Sequence, residues 1–326
     1  MVIVTGGSGH LGNVLIRKLI EKNEKVRVLV YPTDNIEHII NLPIEIVYGD
    51  VRDKYSLIKA FNGCDIVYHL ASYISIIPGQ SKILQEINIK GVMNVIEAVK
   101  ICNVKRLVYV SSIHAFADVP NGTIIDENTP INPDLAIGDY GKSKAKATLL
   151  VKEKSKDYID AVIACPTGII GPYDYKISRM GKFFIDFVNS KIPFNITGEY
   201  NFVDVRDVAD ALINLAEKGK RGEIYILGGE TIKIPKMIEY FAKYSGKKRP
   251  KITIPIWLLY FVAPFFDLYY LIFKKTGNIT LESIKILLSN ANISSEKAKK
   301  EINYNPRPIN HTIKDMVLWF MVFRRN

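Results

Sequence analysis

A glycine-rich turn between a short apolar segment and an amphipathic segment constrains this chain more than any other feature. Residues 2–4 predict a buried strand, and residues 5–12 (TGGSGHLG) follow it directly. Residues 11–20 then carry apolar side chains at helical spacing. A strand that enters a helix through such a turn predicts the first βα unit of a parallel sheet, with a loop shaped to approach a phosphate group.

Each glycine of this turn has its own steric reason. Gly6 permits the tight turn, Gly9 lets the backbone approach a pyrophosphate, and Gly12 lets the helix pack closely on the strand. The helix begins near His10 and Leu11, where free N–H groups attract phosphates. The pattern therefore predicts a dinucleotide cofactor, and an ordinary glycine-rich turn is the alternative.

Short apolar runs alternate with amphipathic segments through the first half of the chain. This alternation predicts an α/β fold with a doubly wound parallel (Rossmann) sheet. After about residue 170 the pattern loosens, and 224–227 predicts one late strand. We expect a dinucleotide-binding domain over 1–170, which the chain rejoins around 200–228. We also expect a smaller, mostly helical substrate lobe over 171–326. The predicted strands are 2–4, 26–30, 44–47, 66–70, 107–110 and 161–164.

Composition narrows the class of partner. The 326 residues are 48% hydrophobic with a formal charge of +11. The lysines are scattered along polar helix faces, so we expect a basic solvated surface and no nucleic-acid partner. The cysteines Cys64, Cys102 and Cys165 are isolated, which predicts neither disulfides nor a metal site. No basic segment followed by an apolar leader opens the chain, so we expect a cytoplasmic protein.

The segment 252–273 is apolar and close to the length that spans a bilayer. Pro255, Pro264 and Asp267 interrupt it. The interruptions favour either a helical pair over a substrate pocket or an in-plane interfacial helix flanked by Lys274 and Lys275. Peripheral membrane contact through 252–275 is therefore an open alternative beside a purely cytoplasmic location.

Tyr140 and Lys144 are four residues apart in a predicted helix, so they share one face. A phenol is a poor base at neutral pH. A cation at about 4 Å in an effective dielectric of about 20 contributes roughly 4 kcal/mol, so Lys144 with an oxidised nicotinamide is expected to lower the pKa of Tyr140. A chance surface pair is the alternative, because tyrosine and lysine are common in this chain.

With these motifs in place, the sequence resembles the extended short-chain dehydrogenase/reductase family. The glycine turn matches its TGxxGxxG pattern, and the resemblance continues along most of the chain in the same order. The matching segments are GDV at 49–51, HLAS at 69–72, NIKG at 88–91, SSIHAF at 111–116, YGKSK at 140–144, CPTGIIGP at 165–172 and FVDVRDVA at 202–209.

The resemblance implies roles for individual residues. It implies that Tyr140 exchanges the proton on a substrate oxygen, that Ser112 orients that oxygen, and that Lys144 holds the nicotinamide ribose. The cofactor-binding residues that the loop chemistry and the resemblance imply together are Gly6, Gly9, His10, Leu11, Gly12, Tyr31, Asp50, Val51, Leu70, Ala71, Ser72, Asn88, Ser111, Tyr140, Lys144, Pro166, Thr167 and Gly168.

The choice between NAD and NADP depends on the end of the second strand. A carboxylate about 20 positions beyond the glycines would hold a ribose 2′-hydroxyl, and an arginine would accept a 2′-phosphate. Tyr31 stands at this place, and Arg27 lies inside the strand. The missing carboxylate favours NADP slightly, and NAD remains open.

Three hypotheses for function remain. The apolar stretch 254–273 and the closing segment NPRP at 305–308 resemble one branch of the family in particular, that of the dihydroflavonol reductases, 3β-hydroxysteroid dehydrogenases and hopanoid-associated sugar epimerases. This implies hydride transfer to or from a secondary alcohol or ketone of a bulky small-molecule substrate. A sugar-nucleotide 4-epimerase with tightly bound NAD is the second hypothesis; a dehydratase is disfavoured because Ile113 and His114, not an acidic pair, follow Ser112. A non-catalytic dinucleotide-binding regulator is the third.

Two further expectations concern packing. The aromatic residues of the late apolar segment either line the substrate pocket or belong to the core. By analogy with the family, the helices predicted over 83–101 and 140–154 pair two subunits into a homodimer. The aromatic residues are Trp257, Tyr260, Phe261, Phe265 and Tyr269.

Overall fold

A parallel seven-stranded sheet forms the centre of the molecule. The computed structural model describes residues 1–77, 79–273 and 280–323. The strands are β1 (Val2–Thr5), β2 (Val26–Val30), β3 (Glu45–Tyr48), β4 (Ile66–His69), β5 (Arg106–Val110), β6 (Ala161–Pro166), β7 (Gly168–Ile170), β8 (Asn195–Ile196), β9 (Glu199–Asp204), β10 (Ile224–Leu227), β11 (Glu230–Lys233) and β12 (Thr253–Ile254). The central sheet has the order β3-β2-β1-β4-β5-β6-β10.

Helices cover both faces of this sheet. α1 and α7 pack on one face, and α2, α4 and α5 lie on the other. The helices are α1 (His10–Glu21), α2 (Lys54–Phe61), α3 (Ser81–Leu84), α4 (Gly91–Ile101), α5 (Gly138–Lys154), α6 (Arg179–Val188), α7 (Val205–Lys218), α8 (Ile234–Ser245), α9 (Ile256–Phe273), α10 (Leu281–Leu288), α11 (Glu296–Ile302) and α12 (Ile309–Phe323).

The two-sided burial explains why the predicted strands are continuously apolar. Val4 shares one apolar cluster with Leu15 of α1 and Leu212 of α7. Its neighbour Ile3 points to the other face and shares a cluster with Val95 of α4. A sheet buried on both faces needs apolar residues at every position, not at alternate ones. The predicted doubly wound Rossmann fold is confirmed.

The strand order reverses direction between β1 and β4. β1 pairs with β2 on one side and with β4 on the other, and all these pairs are parallel. In open α/β sheets, ligands bind beyond the carboxyl ends of the strands at such a reversal. The turns that follow β1, β4 and β5 therefore meet at one place.

The helix predicted over 83–101 contains a π-helical segment. α3 runs into Gln85–Lys90, which has π geometry, and α4 continues from Gly91. A π turn accommodates one extra residue and shifts the helix face that follows, and such segments are frequent at functional sites. Here the segment contains Asn88, whose side chain is buried.

The second lobe is less purely helical than predicted. β7, β9 and β11 form a three-stranded sheet, and β8 pairs with β12. Most of these strands have two to four residues, which is too short for an alternating pattern to be recognised in the sequence. The predicted late strand is present as β10, and it extends the central sheet beside β6.

The apolar segment 252–273 forms the short strand β12 followed by one helix, α9, and not a helical pair. α9 begins after Pro255, runs through Pro264 and is the one helix among the described residues that is long and apolar enough to cross a membrane. The predicted pocket or core aromatics of this helix are solvent-exposed, which corrects both expectations. Lys274 and Lys275 lie outside the described residues. The exposed fractions are 58% for Trp257, 40% for Tyr260, 67% for Phe261, 73% for Phe265 and 40% for Tyr269.

Candidate active site

One cavity of about 1290 Å³ extends from the glycine turn into the second lobe. It opens at the carboxyl edge of the central sheet, where the strand order reverses. Every residue predicted to bind cofactor or to act in catalysis lines this cavity, with the exception of Asn88. The tertiary structure therefore brings together side chains from the turns after β1, β2, β3, β4, β5 and β6 and from α5.

The glycine turn has the geometry that a phosphate cradle requires. Gly6 adopts a φ of 73°, which favours glycine, and the Gly9 N–H donates to the Gly6 carbonyl at 3.0 Å. A Cβ on Gly12 would overlap the Gly6 carbonyl oxygen, so the close approach of helix and turn needs glycine there. Only a backbone without side chains fits at this point.

The start of α1 leaves backbone donors available. Within the described chain, its N-cap residue Gly9 makes no side-chain cap, and the first turn holds no acidic residue. The N–H groups near His10 and Leu11 therefore have no intrahelical partner and point out of the helix end. With the crowding at Gly12, these free donors fit a dinucleotide whose pyrophosphate lies against the helix N-terminus.

A cation lies beside Tyr31 that the sequence analysis missed. The Arg52 guanidinium lies over the Tyr31 ring, 5.9 Å from its centroid, and both residues line the cavity. Asp50 holds Arg52 through a 2.9 Å bond from Nε to Oδ2. Burial raises the pKa of Asp50, but the Arg52 hydrogen bonds outweigh burial and keep that pKa below its ordinary value. Arg52 follows Asp50 so closely that the sequence could have indicated it.

A carboxylate also borders this end of the cavity. Asp34 accepts a hydrogen bond from the Ser8 hydroxyl at 2.6 Å and forms an ion pair with Lys176 at 3.0 Å. All three residues line the cavity. The acidic residue that sequence analysis did not find after β2 is therefore present slightly further along, in contact with the glycine turn.

Asn88 holds two parts of the site together through hydrogen bonds. Its Oδ1 accepts from the Ser72 hydroxyl at 3.1 Å and from the Tyr73 N–H at 2.8 Å. Its Nδ2 donates to the Ser143 hydroxyl at 3.0 Å, and Ser143 donates to the Tyr140 carbonyl at 2.7 Å. Asn88 thus joins the turn after β4 to α5 and fixes Ser72 relative to Tyr140.

The two serines after β5 have different surroundings. The Ser111 and Thr148 hydroxyls lie 2.5 Å apart, and Thr148 donates to the Lys144 carbonyl at 2.7 Å. Ser112 begins a short 3₁₀ turn, where its hydroxyl accepts from the His114 N–H at 3.2 Å and also bonds to Tyr140. Ser111 therefore anchors α5 to β5, and Ser112 is the serine next to the tyrosine hydroxyl.

Tyr140 and Lys144 are both buried, and burial controls their titration. Burial raises the pKa of Tyr140 to about 12, although hydrogen bonds with Ser112 and Ser72 act to lower it. Burial lowers the pKa of Lys144 to about 8. The Lys144 ammonium donates to the Val110 carbonyl at 2.9 Å. Without a cofactor, burial therefore keeps the pKa of Tyr140 above its ordinary value. The lowering expected from Lys144 together with an oxidised nicotinamide stays a prediction.

The loop after β6 closes the cavity beside these groups. Pro166, Thr167 and Gly168 all line it. The buried Thr167 hydroxyl has no hydrogen-bond partner among the described residues. An unsatisfied buried hydroxyl is costly, so its position on the cavity wall fits a bound polar group.

Beyond Tyr140 the cavity becomes largely apolar. The main polar feature near Tyr140 is a bond of 2.8 Å between His114 Nε2 and the Tyr200 hydroxyl. Burial lowers the pKa of His114 to about 4, so this imidazole is neutral at physiological pH. No sequence motif predicted Tyr200 as a site residue, because β9 is far from Tyr140 along the chain. The apolar wall includes Ile74, Ile76, Phe183, Ile238, Leu259 and Leu287.

Comparison with known proteins agrees with this arrangement. A model of the NAD-dependent epimerase/dehydratase family matches residues 2–228. Sterol demethylase protein B of Methylococcus capsulatus is 30% identical over 98% of this chain and 97% of its own length. A 3β-hydroxysteroid-dehydrogenase/decarboxylase of Arabidopsis thaliana is 26% identical over 93% of this chain and 75% of its own.

The fold comparison agrees with the sequence comparison. The crystal structure of gox2253 superposes with a TM-score of 0.88 at 31% identity and covers 100% of this chain and 99% of its own. The family match spans the whole central sheet, from β1 to β10, and includes the glycine turn, Ser112, Tyr140 and Lys144. The chain therefore belongs to the NAD-dependent epimerase/dehydratase family, the extended branch of the short-chain dehydrogenases/reductases.

Proposed function

We propose that this protein is an NAD(P)-dependent oxidoreductase that interconverts a ketone and a secondary alcohol on a bulky, mainly apolar substrate. The proposal rests chiefly on the position of Ser112, Tyr140 and Lys144, at the junction between the glycine-lined and the apolar parts of one cavity. A cofactor bound at the glycine turn would supply or accept a hydride there. The protein must then handle the accompanying proton.

Tyr140 is the proposed proton donor and acceptor. Because burial raises its pKa to about 12, Tyr140 is protonated at neutral pH and suited to give its proton to a carbonyl oxygen that is being reduced. Ser112 lies next to the phenol and would orient the same oxygen. Lys144, a buried residue one helical turn away, would hold the ribose of the cofactor. Its ammonium would give a proton to the Tyr140 phenolate after each reduction and be reprotonated from solvent.

The substrate class follows from the apolar part of the cavity. Apolar walls with a few placed polar groups are typical of sites for bulky organic ligands. His114 and Tyr200 supply such a polar pair. The names of two relatives refer to sterol and hydroxysteroid chemistry, which supports a polycyclic or similarly large alcohol or ketone as the substrate.

A second candidate function is sugar-nucleotide 4-epimerisation with a tightly bound NAD. Arg179 and Lys191 both line the cavity, and two cations are what a substrate diphosphate needs. In this case the cofactor is not consumed, and hydride leaves and returns on one substrate.

Nucleotide exchange separates the two candidates. The purified protein would be denatured, any released nucleotide would be identified by mass spectrometry, and its exchange with added NADH or NADPH would be measured. Free exchange supports the oxidoreductase proposal. An NAD that remains bound through gel filtration and resists exchange supports the epimerase.

Replacement of Tyr140 tests the chemistry. Tyr140→Phe is expected to lower turnover at least about 100-fold, since it removes the proton donor, and to leave cofactor affinity nearly unchanged. Turnover and nucleotide titration would be measured with Tyr55→Phe, a 79% exposed tyrosine on α2, as the control. Unchanged turnover in Tyr140→Phe would remove Tyr140 from the mechanism.

A further inference from the structure

α9 exposes an unusually large apolar surface. Over its 18 residues only Ile256, Leu259 and Ala263 are buried. Twelve large apolar side chains of the helix are between 36% and 73% exposed. A continuous apolar surface of this kind on a soluble chain marks a contact with a membrane or with another protein. The most exposed members are Trp257, Phe261, Phe265, Ile272 and Phe273.

The helix is attached to the protein along one side, so it does not cross a bilayer. Its buried residues pack against Ile284 of α10. The Ile256 N–H donates to the Thr197 hydroxyl at 2.8 Å, and Asp267 accepts from the Leu281 N–H at 3.1 Å. The rest of the protein therefore contacts one side of α9 at its start and again at Asp267. Such a helix can lie in the plane of a membrane interface, but it cannot be surrounded by lipid.

A basic segment precedes this helix and gives the surface a charge preference. Lys247, Lys248, Arg249 and Lys251 are all exposed and are linked to α9 through the short strand β12. Between residues 245 and 273 the single acidic residue is Asp267, whose carboxylate faces α10. An apolar helix beside a cluster of cations is complementary to a bilayer that carries anionic headgroups.

The same helix borders the substrate end of the cavity. Leu259 lines the cavity from the inner side of α9. Ile74 and Ile76 line it from the loop after β4, and a Cβ on Gly79 of that loop would lie 3.4 Å from Leu271 of α9. The apolar wall of the cavity and the exposed surface of α9 are thus two sides of one thin layer of protein.

We propose that α9 binds this protein peripherally to anionic bilayers, with its exposed face inserted at the interface and Lys247–Lys251 against the headgroups. A second inference rests on the proposed function: the substrate belongs to the lipophilic alcohols and ketones that partition into bilayers and reaches the cavity from that side. The membrane binding of α9 does not depend on the proposed function.

Vesicle flotation tests the binding. Full-length protein would be mixed with vesicles of phosphatidylcholine alone or with about one third phosphatidylglycerol, in low and high salt. We expect flotation with the anionic vesicles, weakened by salt and by the double variant K247E/K248E. We expect F261D/F265D to abolish it, because charged side chains on that face oppose insertion.

Matched controls keep the result specific. Tyr55→Asp alters an exposed aromatic on α2, and K25E/K59E reverses two exposed lysines at the opposite edge of the sheet. Both controls should float like the wild type. Circular dichroism and nucleotide titration would show that F261D/F265D is folded with an intact cofactor site.

Two outcomes would overturn the proposal. Wild-type protein that stays at the bottom of the gradient with every vesicle would exclude membrane binding. A dimer in light scattering that F261D/F265D converts to a monomer, without flotation of the wild type, would assign α9 to a second copy of the chain. Nucleotide titration is independent of both, so failure of the cofactor-dependent function would be seen separately.

Discussion

We propose that Arg52 is the side chain that decides between NAD and NADP at this site. It lies on Tyr31, just after the end of β2, where the ribose of a dinucleotide held by the glycine turn would lie, and Asp50 fixes its orientation. A guanidinium in this position is suited to a 2′-phosphate. Asp34 is already engaged by Ser8 and Lys176 and is therefore less available to a 2′-hydroxyl. We infer a preference for NADP(H).

Substitution of Arg52 tests that preference. Arg52→Ala should weaken NADPH binding about tenfold or more, because a charge-assisted hydrogen bond contributes about 1.5–3 kcal/mol, and should leave NADH binding almost unchanged. Fluorescence titration of both nucleotides at one ionic strength measures the difference, with Lys54→Ala as the control. Equal losses for both nucleotides would show that Arg52 does not distinguish them.

At the scale of residues, local backbone chemistry was predictable and side-chain partners were not. Gly6 and Gly12 are dictated by a turn within one short segment, so their role is visible in the sequence. The pKa of Tyr140 depends on how much water its surroundings exclude, and those surroundings come from several distant segments. The motif alone could therefore not show that burial raises this pKa.

Helix α5, which carries Tyr140 and Lys144, takes its N-terminal cap from another element. Its own N-cap residue, Ile137, makes no side-chain cap within the described chain. Glu282 of α10 accepts a hydrogen bond from the Asp139 N–H instead, and a Cβ on Gly138 would overlap its carboxylate. Burial is the largest cause that raises the pKa of Glu282, and the nearby charge of Asp139 adds to it. The pKa is raised to about 7, although Arg179 opposes the shift.

This cap predicts a pH dependence of stability. Because the pKa of Glu282 is higher in the folded protein than its ordinary 4.5, its contribution is present at low pH and is lost as the pH rises through about 7. Glu282→Gln keeps the acceptor without the charge, so it should match the wild type at pH 5 and unfold at a higher temperature at pH 8. Asp139, Arg179 and Asp267 are the other charged groups facing this site.

Thermal unfolding of both proteins between pH 5 and pH 8 measures this difference. Glu296→Gln, at an exposed position in the first turn of α11, is the control and should show no comparable trend above pH 5. A temperature difference between Glu282→Gln and the wild type that stays constant with pH would mean that Glu282 does not titrate in this range.

At the scale of elements, length decided what the sequence could predict. The strands of the central sheet and helices α1 and α5 are long enough to show periodicity, and they lie close to where it predicted them. The two-residue strands β8 and β12 and the π segment around Asn88 are too short to do so. α9 was recognised as apolar, but its exposed face was not predictable, since exposure depends on what packs against a helix.

A partly buried ion pair between Arg307 and Asp207 helps to join the C-terminal segment to the central layers. Arg307 binds Asp207 of α7 through Nε at 2.9 Å and Nη2 at 2.7 Å, and its N–H bonds to the same carboxylate at 2.8 Å. Asp207 is only 7% exposed. The segment matched to the family at 202–209 therefore acts here mainly through packing, and the sequence did not indicate Arg307 as its partner.

Removal of this pair should destabilise the whole molecule. Arg307→Ala is expected to lower the free energy of unfolding by about 2–3 kcal/mol, because the desolvated carboxylate loses its charged partner and keeps only the backbone N–H of residue 307. Urea denaturation measures the loss, and Lys105→Ala, which breaks an exposed pair with Asp65, should have little effect. Similar stabilities of Arg307→Ala and the wild type would contradict a linking role for the pair.

The homodimer through the helices near 83–101 and 140–154 stays a prediction. Met93 on α4 and Leu149 on α5 are 49% and 40% exposed, which leaves apolar contacts available on both helices. Light scattering of the purified protein would establish its oligomeric state.

The doubly wound sheet and the glycine turn were predictable from local periodicity and short motifs, and the same motifs mark Ser112, Tyr140 and Lys144 as candidate catalytic residues. Four features follow only from how distant segments pack: the burial that raises the pKa of Tyr140, the approach of Arg52 to Tyr31, the capping of α5 by Glu282 and the exposure of α9. Each of these depends on contacts between segments far apart in the chain. The free energy of such contacts depends on which surfaces are removed from water when the segments pack.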